Sequence, residues 1–239
     1  MQQAFFLTGT DTEIGKTFAS CALLHAWRSQ GYRAVGYKPV AAGAEWLEER
    51  WSNEDARRLQ QAGSPGFTLA EINPICLQAA VAPHIAAREE GRSIEQAEIL
   101  TGFSALQPHA ERIVVEGVGG FRVPLGENFD SADLAQSLRL PIILVVGLRL
   151  GCINHALLTA EAITARGLPL AGWIGNTLSP RMMRLEENLA TLQTLLPAPC
   201  LGILPFVETG DAALAASHLR LEKLHSPTTS TPGGGVKRN

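Results

Sequence analysis

Lysine is nearly absent from this chain. Only Lys16 and Lys38 occur in the first 222 residues, and arginine takes almost every other basic position. Cysteine is sparse as well: Cys21, Cys76, Cys152 and Cys200 lie far apart, with no Cys-x-x-Cys pair. Such spacing points away from a disulfide framework or a zinc site and toward buried free thiols. The six histidines are equally scattered, and none pairs with another at metal-ligand spacing. No apolar run approaches the roughly 20 residues of a membrane-spanning helix. The N-terminus lacks a basic stretch leading into an apolar signal region, so a cytoplasmic location is the expectation. Nor is there a basic excess: the net charge is −3, which leaves no overall footprint for nucleic acid.

What remains is an ordinary globular composition, 46% apolar over 239 residues, enough for one large α/β domain. Strand-like apolar runs fall at Ala4 to Thr8, Arg33 to Val40, Ile113 to Glu116, Ile142 to Gly147, Leu170 to Asn176 and Cys200 to Leu204. Several are apolar on both faces, as strands of a parallel sheet covered on both sides must be. Helical periodicity follows Thr17 to Gln30, ending near Gly31, and recurs over Ile94 to Gln107, Ser131 to Leu138, Asn154 to Arg166 and Pro180 to Leu196. Alternating strands and helices predict a doubly wound, mostly parallel sheet with helices on both faces. The stretch from Ala41 to Leu77 is less regular and is expected to cross the active-site edge. The domain is expected to span residues 1–225. Residues 226–239 contain Pro-Thr-Thr-Ser-Thr-Pro-Gly-Gly-Gly, a low-complexity tail unable to bury a core.

Both early lysines sit in phosphate-chemistry motifs. Gly9-Thr10-Asp11-Thr12-Glu13-Ile14-Gly15-Lys16-Thr17 follows a strand and opens a helix, the setting of a phosphate loop. Its backbone N–H groups and helix N-terminus suit phosphate oxygens. Lys16 would neutralise the β and γ phosphates of a nucleotide, and Thr17 would offer its hydroxyl to Mg²⁺. The loop departs from the usual pattern, with five residues between Gly9 and Gly15 where four are standard. Lys38, in Tyr37-Lys38-Pro39-Val40, ends the next strand. There a second cation can meet a transferred phosphoryl group. Glu116 ends the run Ile113-Val114-Val115 ahead of Gly117-Val118-Gly119-Gly120. A carboxylate at a strand's C-terminal end lies at the mouth of the sheet, where it can hold Mg²⁺.

Other segments read more plainly from residues alone. Asp55 can complete the metal shell, but its spacing favours an acid at a helix N-terminus, and Glu54 competes for the metal role. Leu150-Gly151-Cys152-Ile153-Asn154-His155 reads as a strand-to-helix turn with Asn154 near the cap. Gly175-Asn176-Thr177 and Pro205-Phe206-Val207 read as loops at the sheet edge, where a nucleotide base can rest.

Assembled in order, these segments resemble one family, ATP-dependent dethiobiotin synthetase. The match runs through residues 9–17, 36–40, 116–120, 145–155 and 171–176, and reaches to about Val207; the stretch around 44–52 and the tail match poorly. The resemblance implies a phosphate-loop NTPase-like fold and a ligase acting on 7,8-diaminopelargonic acid, CO₂ or bicarbonate, and ATP. It implies Lys38 as the active-site lysine, Thr12 near the reacting groups, and Glu13, Ile14, Gly15, Lys16, Thr17 and Phe18 around the phosphates. Thr17, Asp55 and Glu116 would be the Mg²⁺ shell. Gly117, Val118 and Gly119 would line the nucleotide side, and Asn176, Thr177, Pro205, Phe206 and Val207 the adenine pocket. Gly151, Cys152, Ile153 and Asn154 would hold the substrate carboxylate across a homodimer interface. Ala42 replaces the family's usual Ser or Thr beside the substrate, and Val81-Ala82-Pro83-His84 lacks a serine often found before Pro-His. A competing expectation is a partitioning-type nucleotide-switch ATPase, but such proteins normally carry a further lysine near the start of the loop, where this chain has Thr10 and Asp11.

Overall fold

A computed structural model describes residues 2–224; the tail expected at 226–239 lies outside them. The chain begins with β1 (Gln3–Gly9), the phosphate loop and α1 (Lys16–Ser29). After β2 (Ala34–Tyr37) come three short strands, β3 (Val40–Ala42), β4 (Glu45–Leu47) and β5 (Arg50–Ser52). Next are α2 (Glu54–Ala62), α3 (Leu69–Ile72), β6 (Ile75–Leu77), α4 (Pro83–Glu89) and α5 (Gln96–Leu106). The last part alternates: β7 (Arg112–Glu116), α6 (Ser131–Leu138), β8 (Ile142–Leu148), α7 (Cys152–Ala165), β9 (Leu170–Thr177), α8 (Leu185–Leu195) and β10 (Cys200–Leu204).

Six strands form one sheet in the order β10-β9-β8-β1-β7-β2, and every neighbouring pair is parallel. From β1 the chain order runs outward through β8, β9 and β10 on one side, whereas on the other β7 is inserted between β1 and the edge strand β2. The C-terminal ends of β1, β7 and β2 therefore open on one edge at the switch point, where doubly wound sheets bind ligands. The sheet is buried on both faces. Leu144, Val146 and Leu148 of β8 and Trp173 of β9 pack with α7 and α8, while Ile143, Val145 and Ile174 join the larger core on the other side. There Phe5 of β1 stacks on Trp27 of α1, with ring centroids 6.1 Å apart.

Some expected boundaries move. The strand predicted through Val40 stops at Tyr37, because Pro39 has no N–H to give to a ladder. The chain instead turns at Lys38, and Val40–Ala42 pairs separately with β6. The helix predicted from Pro180 begins at Leu185, since Arg184 adopts a left-handed backbone (φ 56°) that a continuous helix forbids. The helix predicted from Asn154 begins at Cys152, with Gly151 as its N-cap (φ 94°), so Asn154 lies in the first turn and does not cap. The irregular stretch contains a small hairpin, β4–β5, whose turn residues Glu48 and Glu49 both have positive φ. All four cysteines are free. Among the described residues no helix is long and apolar enough to cross a membrane.

Candidate active site

The phosphate loop is held from both sides. Ile14 is buried and pins the loop to the core, so only its backbone is available to a ligand. Its carbonyl accepts a hydrogen bond from Asn176 Nδ2 at 2.9 Å, reaching in from the end of β9. This approach requires glycine at position 15: φ there is 83°, and a Cβ would lie 2.1 Å from Asn176 Nδ2. Thr12 and Glu13 are exposed, and Glu13 is itself left-handed (φ 58°).

Lys16 opens α1 but is buried, and its Nζ donates to the Asp11 carbonyl at 2.8 Å. Burial, followed by the nearby charge of Lys38, pushes its pKa down to about 8. Beside it, Thr17 donates its hydroxyl to Glu116 Oε1 at 2.8 Å.

Lys38 sits where β2 ends, and its backbone is clamped. Its N–H donates to the Ile72 carbonyl at 2.8 Å, and its carbonyl accepts from Asn73 Nδ2 at 2.7 Å. The side chain is 4% exposed, and Nζ reaches Glu116 Oε1 at 2.6 Å and Asp55 Oδ2 at 2.9 Å. Burial works against the ammonium, but the Glu116 and Asp55 carboxylates outweigh it and raise the Lys38 pKa. Burial likewise works against the Asp55 carboxylate, and the Lys38 ammonium reverses this and lowers it. Asp55 is also a helix N-terminal acid: Asn53 caps α2 by accepting from the Asp55 and Ala56 N–H groups. From that first turn its carboxylate reaches Lys38. Glu54, exposed one residue earlier, does not reach the cluster.

The fully buried Glu116 leaves Oε2 without a hydrogen-bond partner among the described residues. A buried carboxylate oxygen in that state is costly unless a cation or water meets it. Among the described residues, no group of three or more His, Cys, Asp or Glu side chains is placed to hold a metal. The donors here are one hydroxyl and two carboxylates, a set that fits a hard oxygen-seeking cation sharing its shell with phosphate and water. The free oxygen on Glu116 supports that fit.

Lys16, Thr17, Lys38 and Asp55 face a cleft of about 840 Å³. Of the predicted residues it brings together Thr12, Glu13, Gly15, Lys16, Thr17, Phe18, Lys38, Ala42, Asp55, Val118 and Gly119. The opposite wall is Ala80 to Pro83, the segment that lacks the serine. Arg58 and Val123 also line it and were not anticipated. Arg58 follows Asp55 by three residues on α2, so helical spacing carried the signal. The other predicted residues, Ile14 and Glu116 among them, lie outside the cleft lining: Ile14 is in the core, and Glu116 is buried against Thr17 and Lys38. Gly117 packs close to Phe6, and Asn176 stands behind the loop. Thr177 ends β9, and Pro205, Phe206 and Val207 follow β10 with Phe206 exposed. At the start of α7, Gly151 and Asn154 are exposed, Ile153 is half-buried and the Cys152 side chain is in the core.

A family model described as an AAA domain matches residues 3–213. Among curated proteins, the chain is 58% identical to an ATP-dependent dethiobiotin synthetase BioD from Aromatoleum aromaticum, over 92% of this chain and 97% of that one. It is 52% identical to the protein of the same name from Ralstonia nicotianae, over 92% and 96%. Solved structures with similar folds include the septum site-determining protein MinD from Pyrococcus horikoshii (TM-score 0.56, 14% identity, 93% of this chain and 89% of that one). A ParA family ATPase from Chlorobium tepidum is comparable (TM-score 0.54, 11% identity, 93% and 92%). At such identity the likeness to these proteins is one of fold alone.

Proposed function

The chain belongs to the ATP-dependent dethiobiotin synthetase family, and on that premise we propose how its cleft performs the family's reaction. One amine of 7,8-diaminopelargonic acid takes up CO₂ as a carbamate, and ATP phosphorylates the carbamate to a carbamic-phosphoric anhydride. The second amine attacks the activated carbon, closes the ureido ring of dethiobiotin and expels phosphate. A carbamate oxygen leaves poorly until phosphorylated, and an amine on the same molecule makes ring closure intramolecular.

The backbone from Glu13 to Phe18 and the ammonium of Lys16 receive the phosphates. Lys38 faces the transferred phosphoryl group and the acceptor, offsetting charge as it develops. Its carboxylate partners keep it protonated for that task. Thr17, Asp55 and Glu116 would hold Mg²⁺, which when bound neutralises phosphate charge. Asn176, Thr177 and Pro205 to Val207 are assigned to adenine. Gly151 to Asn154 are assigned to the substrate carboxylate of the second subunit in a homodimer, consistent with the exposure of Gly151 and Asn154 away from their own cleft. Ala42 removes a hydroxyl beside the substrate, and one such hydrogen bond contributes about 1 kcal/mol.

The observation that carries this reading is Lys38, buried between Glu116 and Asp55 at the mouth of the phosphate loop. Lys38→Ala should abolish diamine-dependent ADP release while leaving ATP binding largely intact. Wild-type turnover in that variant would remove Lys38 from the mechanism.

A further inference from the structure

Asp11 is the most heavily engaged residue of the exposed part of the phosphate loop. One carboxylate oxygen accepts the Thr12 N–H at 2.8 Å, and its carbonyl accepts Lys16 Nζ at 2.8 Å. Its other carboxylate oxygen meets the Arg149 guanidinium at 2.5 Å, across 138 residues of sequence. Arg149 lies just beyond the end of β8, and its carbonyl accepts the Cys152 N–H at 3.0 Å, closing the turn that carries Gly151. The same residue thus grips the phosphate loop with its side chain and the Gly151 turn with its backbone. Parallel β1 and β8 run side by side directly below, and Thr10 N–H donates to the Val145 carbonyl at 3.1 Å.

We propose that Arg149 is a positioning residue, which through Asp11 holds the phosphate loop in register with the Gly151 turn before ATP arrives. The loop needs such a tether. Ile14 and Asn176 fix its C-terminal half, but Thr12 and Glu13 are exposed and Glu13 has a left-handed backbone. Without Arg149, Asp11 keeps only its bonds to Thr12 and Lys16 within the loop itself, and the carbonyl that orients Lys16 is held less firmly. Ordering the loop then falls on nucleotide binding, which weakens it without changing the chemistry that follows. This proposal rests on the reading of Lys16 as a phosphate ligand. Both side chains of the pair are about half exposed, so the effect is that of a modest ion pair and not of a buried one.

The test is a double-mutant cycle on Arg149→Gln and Asp11→Asn, read by direct titration with a fluorescent ATP analogue in Mg²⁺ and by steady-state kinetics. Asparagine at position 11 retains an acceptor for the Thr12 N–H while losing the charge. Each single change should weaken nucleotide binding roughly fivefold, the upper end for a partly exposed pair. The double variant should be no weaker than either single one. KM for ATP should rise while kcat at saturating ATP stays nearly constant, and Arg149→Lys should recover most of the affinity. Unchanged affinity, effects that add in the double variant, or losses that follow the melting temperature would each overturn the proposal. The titration needs no turnover, so it judges the pair even if the wild-type protein forms no cyclic urea, an outcome that would instead defeat the reaction assigned above.

Discussion

Lys16 and Lys38 are both buried ammonium groups, yet their surroundings push them in opposite directions. Lys38 has two carboxylates in contact and its pKa is raised; Lys16 has only a carbonyl and its pKa is lowered to about 8. The sign of the consequence is definite. A phosphate held by Lys16, as proposed, would favour its charged form, so well below pH 8 no proton need be taken up, whereas above it each binding event must recruit one. ATP affinity should therefore be nearly flat up to pH 7, drop by about half by pH 8, and fall toward tenfold per pH unit above that, the limit for one linked proton. Lys16→Met should bind weakly and lose this slope; an equal slope in the variant would place the titration elsewhere. Gly15→Ala tests the loop backbone. A left-handed φ and a Cβ 2.1 Å from Asn176 Nδ2 should cost most nucleotide binding, measurable by the same titration. Both lysines were legible in the sequence because the chain has so few. Arg58 lay within helical reach of Asp55, but the Asp11–Arg149 contact joins residues 138 apart and could not be read from local pattern.

Helix α2 shows how one element serves fold and site together. Asn53 caps it, and Asn53 Nδ2 also donates to the Ala42 and Gly43 carbonyls, both at 3.2 Å. One side chain therefore anchors the helix carrying Asp55 and Arg58 to the strand carrying Ala42. Asn53→Ala should lower stability by about 1 kcal/mol for the cap alone, with a further loss from the two abandoned carbonyls. It should also weaken Mg-ATP binding, because Asp55 would lose its fixed place beside Lys38. Thermal melting and nucleotide titration in Mg²⁺ check the two effects separately, and an unchanged melt would show that the cap contributes nothing. The large elements were legible because parallel strands apolar on both faces and helices with one apolar face have distinct periods. The region from Ala41 to Leu77 was not. Its strands are three residues long, too short for a period to emerge, and tertiary pairing of β3 with β6 decides their conformation.

At the scale of the whole molecule, the order of the sheet creates the cleft. β7 lies between β1 and β2, which brings Glu116 within reach of both Thr17 and Lys38. The sequence announced the strands and their alternation with helices; the insertion of β7 is a tertiary choice that no local motif records. The assigned carboxylate turn stands outside its own chain's cleft, so the account also predicts complementation. A Lys38→Ala protein mixed with a Gly151→Asp protein should regain activity that neither has alone, because a mixed dimer contains one intact site. No recovery after subunit exchange, confirmed by sedimentation, would return the turn to a purely structural role. The most direct test of the central claim is ADP release by the purified protein with ATP, Mg²⁺ and bicarbonate, with and without 7,8-diaminopelargonic acid, and with mass spectrometry of the products. ADP release should require the diamine and appear with the cyclic urea. ADP release indifferent to the diamine, with no cyclic urea formed, would contradict that claim.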